Sequence, residues 1–222
     1  MARVLLHACC APCSAAILEW MMANGVQPYI YYCNPNITPQ EEYEHRRDEL
    51  RRYAERLGVP FEEAPYDHEA WLEAVRGLEG EPERGKRCLQ CFRYRLMQSA
   101  KRAQELGIGT FTTSLASSRW KSLAQTTEAG NDAAETVSRE GEPVTFDARN
   151  WRKGGLQERR NELLREMQFY NQLWCGCEFS RRKGRRLILA RAEDAAADAD
   201  ERGALFDGNG PVVRHAHGAL RE

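Results

Sequence analysis

Two adjacent cysteines, Cys9 and Cys10, close the first apolar run of the chain, and Cys13 follows within a turn. Two further groups lie far along the sequence, Cys88-Leu89-Gln90-Cys91 and Cys175-Gly176-Cys177. Neighbouring cysteines seldom pair with each other without strain, so they look elsewhere for partners. Seven thiols in three tight groups predict a metal or redox site assembled from distant segments. Thiolates select iron–sulfur clusters, zinc or copper(I). Cys88 and Cys91 stand three apart on a predicted helix and share a face. Facing Cys9 and Cys10, they complete a four-thiolate set. Such a set suits a 4Fe–4S cluster or a tetrahedral structural zinc, and spacing does not choose between them. Cys175 and Cys177 read as a small, strained, redox-active disulfide, as ligands of a second metal, or as two ordinary buried thiols. Cys13 is close enough to assist either centre.

The remaining chemistry-bearing residues are less specific. Cys33 sits in an aromatic strand without a cysteine neighbour and reads as a buried structural thiol. His7 lies inside the first strand, where a core histidine bonded to backbone is the expectation. Asp67 and His68 read as a helix cap and its neighbour. His45, His215 and His217 are assigned no role.

The chain has 222 residues and a formal net charge of −1. That length supports one sizeable α/β domain with its own core. A disulfide scaffold suits small secreted chains; eight cysteines in CC, CxxC and CxC groups suit a reduced compartment better. No apolar run is long enough for a membrane span, and no signal peptide is read after Met1-Ala2-Arg3. The expected location is cytoplasmic. The charge balance neither argues for nucleic acid nor excludes it, because local patches matter more. The densest is Arg181-Arg182-Lys183-Gly184-Arg185-Arg186, read either as an RNA-backbone contact or as a solvated face.

These side chains must be positioned by regular elements. Val4 to Ala8 predicts a buried strand. Ser14 then caps a helix from Ala15 to Asn24, stopped by Gly25. Pro28 to Cys33 predicts a second strand. Thr38-Pro39-Gln40-Glu41 reads as a capping box opening a helix to Leu57. Val59 to Ala64 is a third strand, and Asp67 caps a helix to Leu78. Lys86 to Leu106 is helical, Thr110 to Thr113 a fourth strand, and a helix ends near Arg139. Pro143 to Phe146 is a fifth strand, and Leu156 to Leu173 a further helix. Alternating strands and helices predict an α/β fold: a mainly parallel Rossmann-like (HUP-type) sheet with flanking helices and a helical C-terminal part. Residues 1–186 form the catalytic domain and 187–222 an extension, with Glu193 to Glu222 largely disordered. Ligands bind such sheets beyond the carboxyl ends of strands, where Cys9, Cys10, Cys13 and Cys33 fall.

Several segments together resemble the QueH family of epoxyqueuosine reductases. They are Leu5-Leu6-His7-Ala8-Cys9-Cys10-Ala11-Pro12-Cys13-Ser14 and Tyr32-Cys33-Asn34-Pro35-Asn36-Ile37; Tyr66-Asp67 with Trp71; and Glu81-Pro82-Glu83-Arg84-Gly85-Lys86-Arg87-Cys88 with Cys91 and Arg95-Leu96. Phe111-Thr112-Thr113-Ser114-Leu115 and Tyr170 with Cys175-Gly176-Cys177 complete the set. The resemblance covers about Arg3 to Ser180.

The resemblance implies a cobalamin-independent reductase that converts epoxyqueuosine to queuosine at the wobble position of transfer RNA. It implies that Cys9, Cys10, Cys88 and Cys91 hold a 4Fe–4S cluster. Cys175 and Cys177 would be the catalytic pair, redox-active or, with Cys13, ligands of an adjacent mononuclear iron. Some relatives carry aspartate where Cys13 stands, which implies an auxiliary ligand role. Partners would be the anticodon loop and an electron-donor protein or reductant. Exposed aromatics read unstacked bases, and the candidates are Trp120 and Trp151, with Arg119, Lys121, Arg152 and Lys153 for phosphate; ordinary surface or core packing is the competing reading for each. Two other classes compete: a zinc-stabilised RNA-binding protein without redox chemistry, and a sulfur-inserting transfer RNA enzyme. The second is weakened by the lack of a Gly-rich phosphate loop after the first strand.

Overall fold

The computed structural model describes residues 2–181. Five strands form one parallel sheet in the order β3-β2-β1-β4-β5. They are β1 (Ala2–His7), β2 (Val26–Tyr32), β3 (Phe61–Glu63), β4 (Thr110–Thr113) and β5 (Thr145–Phe146). The helices are α1 (Ala11–Ala23), α2 (Gln40–Leu57), α3 (His68–Ala74), α4 (Lys86–Glu105), α5 (Leu123–Glu140) and α6 (Leu156–Glu166). This is the expected Rossmann-like α/β architecture.

The central strand shows why the sheet is covered on both faces. Successive strand residues point to opposite sides, and Leu5 and Leu6 are both fully buried. Leu6 joins a core built with residues of α1, α2 and α6, whereas Leu5 joins a second core with residues of α4 and α5. The strand order reverses direction at β1, with β2 on one side and β4 on the other. A crevice therefore opens beyond the carboxyl ends of β1 and β4. His7, the last residue of β1, pairs with Tyr31 of β2 and Thr113 of β4.

Several boundaries differ from expectation. Helix α1 begins at Ala11 rather than Ala15, so Cys10 is its N-cap and Cys13 lies in its first turn. Pro12 near the start favours this, having no N–H to leave unpaired. Ser14 does not cap; inside the helix, its hydroxyl donates back to the Cys10 carbonyl at 2.8 Å. The capping box before α2 does not form. Pro39 is the N-cap, without a side-chain bond, and the Thr38 N–H is drawn instead to the Gly176 carbonyl at 3.0 Å. Asp67 does cap α3, accepting from the Ala70 N–H at 2.9 Å, but that helix ends at Ala74. Helix α6 ends at Glu166 instead of reaching Leu173, because Gln168 turns left-handed at φ 52°. The expected tail from 187, and Arg182 to Arg186 of the basic run, lie outside the described residues.

Candidate active site

The thiols gather at the carboxyl edge of the sheet, on two helix N-termini and one loop. Cys9 leaves β1, Cys10 caps α1, and Cys13 sits in its first turn. Cys88 lies in the first turn of α4, with Cys91 one turn on. Helix N-termini present free N–H groups and a positive dipole end, which favour thiolate. All eight cysteines are free.

The first group is compact. The Cys9 and Cys10 sulfurs are 3.7 Å apart. Cys9, Cys10 and Cys13 offer sulfurs all within 4.8 Å of one another, so this triad has the geometry to bind a metal ion. Its frame is backbone-anchored. The Ser117 hydroxyl donates to the Cys13 carbonyl at 3.0 Å. The Cys9 N–H donates to the Ser114 hydroxyl at 3.0 Å, which in turn donates to the Cys9 sulfur at 3.3 Å. The Gln172 amide donates to the Cys10 sulfur at 2.9 Å. Donation from Cys10 and Cys13, then from Ser114, and the Arg95 charge outweigh burial and hold the Cys9 thiol well below its ordinary range. Cys10 moves the other way, since it keeps its proton and donates hydrogen bonds to Cys13 and Cys9, and burial adds to the rise.

Cys91 of the second group and both thiols of the third share one apolar cluster, while Cys88 packs against a sheet core. Cys91, Cys175 and Cys177 pack with Trp71, Val75 and Phe179. The Cys175 thiol is held low, first by the hydrogen bond from Cys177 and then by the charge of Lys121 beside it. Burial raises the Cys88 and Cys91 thiols, and the charge of Cys175 adds to both. One buried cation serves all the groups. Arg95, 2% exposed, feels the charges of Cys91, Cys9, Cys175 and Cys33. Its guanidinium donates to the Cys33 carbonyl at 3.2 Å and to the Asn34 side-chain oxygen.

The loop bearing Cys175 and Cys177 is fixed from α2. Arg46 donates to the Cys175 carbonyl at 3.2 Å and the Trp174 carbonyl at 3.4 Å. Gly176 has φ 112°, and a Cβ there would meet Ile37 Cγ1 at 2.8 Å. Only glycine fits this conformation without strain.

His7 and Cys33 are structural, as expected. The Cys33 carbonyl can only accept, so His7 Nε2 carries the proton to it at 3.0 Å. His7 Nδ1 then accepts from the Thr113 hydroxyl at 2.7 Å. Burial lowers the His7 pKa to about 3, so the ring stays neutral. Trp151 is not a surface platform. It is 1% exposed, and its indole donates to the Thr112 hydroxyl at 3.1 Å. Trp120 is 64% exposed. Arg46 and Arg84 lie in charged stretches that read as solvated, and Gln172 near the end of an expected amphipathic helix, so none of the three stands out in the sequence.

A parallel α/β sheet whose switch-point crevice is lined by thiols defines a cysteine-centred α/β enzyme. The family model described as Epoxyqueuosine reductase QueH matches residues 4–183, and the chain belongs to that family, hence to the oxidoreductases. The protein of that name from Histophilus somni is 43% identical over 180 residues, 81% of this chain and 72% of the relative. That from Acinetobacter baylyi is 38% identical over 192 residues, 86% of each chain. That from Thermotoga maritima is 32% identical over 206 residues, 91% of this chain and 99% of the relative. Among the described residues, no helix is long and apolar enough to cross a membrane.

Proposed function

We propose that this protein is a cytoplasmic, cobalamin-independent epoxyqueuosine reductase of transfer RNA whose redox centre is an iron–sulfur site. The observation that carries the reading is the compact Cys9, Cys10 and Cys13 triad at the carboxyl edge of the sheet, its sulfurs all within 4.8 Å of one another. Membership of the family supplies the substrate. Residues 1–186 would form the catalytic domain.

The surroundings fit a thiolate-bound cluster. Near the thiols, the side-chain polar atoms of Asn36, Gln172 Oε1 and Trp174 Nε1 are shielded from solvent without a protein partner, and the Trp71 indole donates to the Cys91 sulfur. Buried polar groups are ordinarily paired, and N–H donors beside thiolates suit bridging sulfide or substrate oxygen. Cys9, Cys10, Cys88 and Cys91 would hold a 4Fe–4S cluster, with Cys175 and Cys177 beside it as a redox-active pair or, together with Cys13, as ligands of an adjacent iron. Such a centre supplies one-electron transfer at a potential set by its hydrogen bonds and burial.

The reaction breaks both epoxide C–O bonds, forms the cyclopentene double bond and releases the oxygen as water. It consumes two electrons and two protons. As a redox-active pair, the Cys175 and Cys177 dithiol holds that number of each and would pass to a disulfide, restored by an electron-donor protein or reductant. Lys121 keeps Cys175 reactive by its charge, and Arg46 and Gly176 hold the pair in position.

The test couples anaerobic iron and sulfide analysis to a reduction assay on transfer RNA carrying epoxyqueuosine. Serine at both Cys175 and Cys177 is expected to keep the cluster absorbance and abolish turnover. Full activity of that variant removes the pair from the mechanism. A colourless protein with stoichiometric zinc would favour the non-redox RNA-binding reading instead.

A further inference from the structure

Among the described residues, the exposed large apolar side chains are Met22 and Trp120. Met22 lies near the end of α1, just before β2 begins, and so at the amino edge of the sheet. Trp120 follows β4 and lies at the carboxyl edge, with the thiols. An indole at 64% exposure contributes little to the core, and leaving it in water costs apolar hydration. Its place leaves a ring open to solvent at the same sheet edge as the thiols.

The loop that carries it is tied to the thiol site. Arg84 donates through Nε to the Trp120 carbonyl at 3.1 Å and through Nη2 to the Arg119 carbonyl at 2.6 Å. The backbone N–H of the same Arg84 donates to the Cys88 sulfur at 3.3 Å. The Gln125 amide, from α5, donates to the Arg84 carbonyl at 2.9 Å. The Trp120 N–H is fixed to the Ser118 hydroxyl at 3.3 Å. Next in sequence, Lys121 places its charge beside Cys175. One short segment thus runs from reactive sulfur to an open indole. The guanidinium of Arg119 lies 4.7 Å from the ring centroid, backing the ring with positive charge. The local carboxylate Glu83 faces Lys121.

We propose that Trp120, backed by Arg119, is a stacking platform for an unstacked base of the RNA loop entering the thiol site, and that Arg84 is its positioning residue. This rests on the reductase reading, which supplies the RNA. Single-stranded loops are read by stacking bases on aromatic rings, with arginine adding charge toward phosphate. The tie through Arg84 sets the platform at a fixed distance from Cys88. A base stacked on it would register the neighbouring nucleotide against the sulfurs.

The experiment measures binding of the full-length, anaerobically purified protein to a synthetic RNA hairpin with a single-stranded loop, across a salt series. W120A is expected to bind roughly 10-fold more weakly, with an unchanged salt slope, because no phosphate contact is lost. W120F is expected to retain most of the affinity, and RNA is expected to quench tryptophan emission in the wild type more than in W120A. Equal affinity of W120A and wild type overturns the platform while the reductase reading stands. No hairpin binding by the wild type overturns the platform and the RNA substrate together. Unchanged RNA binding with a raised KM for a protein reductant reassigns the patch to a protein partner and overturns the proposal.

Discussion

The guanidinium of Arg46, in the second turn of α2, donates to the carbonyl of Cys175 at 3.2 Å. It is 2% exposed, and its Nε donates to Glu42 at 2.7 Å. The same guanidinium lies 5.5 Å from the Trp174 ring centroid. A buried charge is costly unless paired and fully bonded. Here the bonding is completed by the loop that carries Cys175 and Cys177, so α2 helps to place that loop.

Replacing Arg46 with methionine keeps most of the volume and removes both functions. It leaves Glu42 with only the Tyr170 hydroxyl at 3.2 Å, and breaking such a largely buried pair costs about 3 kcal/mol. We expect a stability loss of that order in urea titration. We also expect faster labelling of Cys175 and Cys177 by a thiol reagent, since their loop loses two hydrogen bonds. Unchanged labelling would mean that the loop holds itself.

Gly176→Ala separates backbone strain from charge. At φ 112°, with Ile37 Cγ1 at 2.8 Å from the added Cβ, the cost is about 2 kcal/mol or more. Gly58→Ala is the control. Its φ is 67° and its Cβ position meets nothing within 4 Å, so about 1 kcal/mol is expected. Denaturation of the two variants side by side checks the ranking, and equal costs would contradict the geometry of the Cys175-Gly176-Cys177 loop.

Much of this frame is legible in the sequence, because the frame is made of periodicity and caps. The Leu5-Leu6 pair, the Asp67 cap and the Thr110–Thr113 strand follow from side-chain direction and local hydrogen bonding. The cysteine groupings announce a soft-donor site before any coordinates. Burial of cations is not legible in the same way. Arg46 stands in Glu44-His45-Arg46-Arg47-Asp48 and reads as part of a solvated face; only the distant loop at Cys175 reveals why it turns inward. Trp120 and Trp151 look alike in sequence. The Thr112 hydroxyl that accepts from Trp151 puts one in the core, and nothing comparable draws the other in.

Cys33 gives the stability a pH signature at the alkaline end. Burial raises its thiol from an ordinary value near 9.0 to about 12. The unfolded chain then releases this proton at a lower pH than the native state does. Stability from this group is complete below about pH 9 and is lost as the pH rises towards 12, at about 1.4 kcal/mol per pH unit. Cys33→Ala lacks the effect. The difference in unfolding free energy between wild type and variant is expected to be flat from pH 7 to 8.5 and to shrink above 9. A difference that stays flat would show that the thiol ionises freely in the native state.

Stripping metal from the protein tests whether the centre is catalytic or structural. Of the thiols, only Cys33 is a buried member of either sheet core; Cys9 and Cys88 pack at the margin of one, and Cys91 and Cys177 belong to a small separate cluster. The apolar contacts that hold β1 between α1 and α4 need no ion. After anaerobic chelation we expect the far-ultraviolet circular dichroism to persist and Tm to fall by only a few degrees, on the scale of ~1 kcal/mol. Amide exchange should quicken in 84–88 and 172–177, whose bonds end on sulfur or on loop carbonyls, while β1 stays protected. A structural zinc site behaves otherwise, since its binding energy is folding energy and chelation unfolds the chain. Loss of β1 protection on chelation would therefore make the metal part of the fold and favour the zinc-stabilised RNA-binding reading over a redox centre.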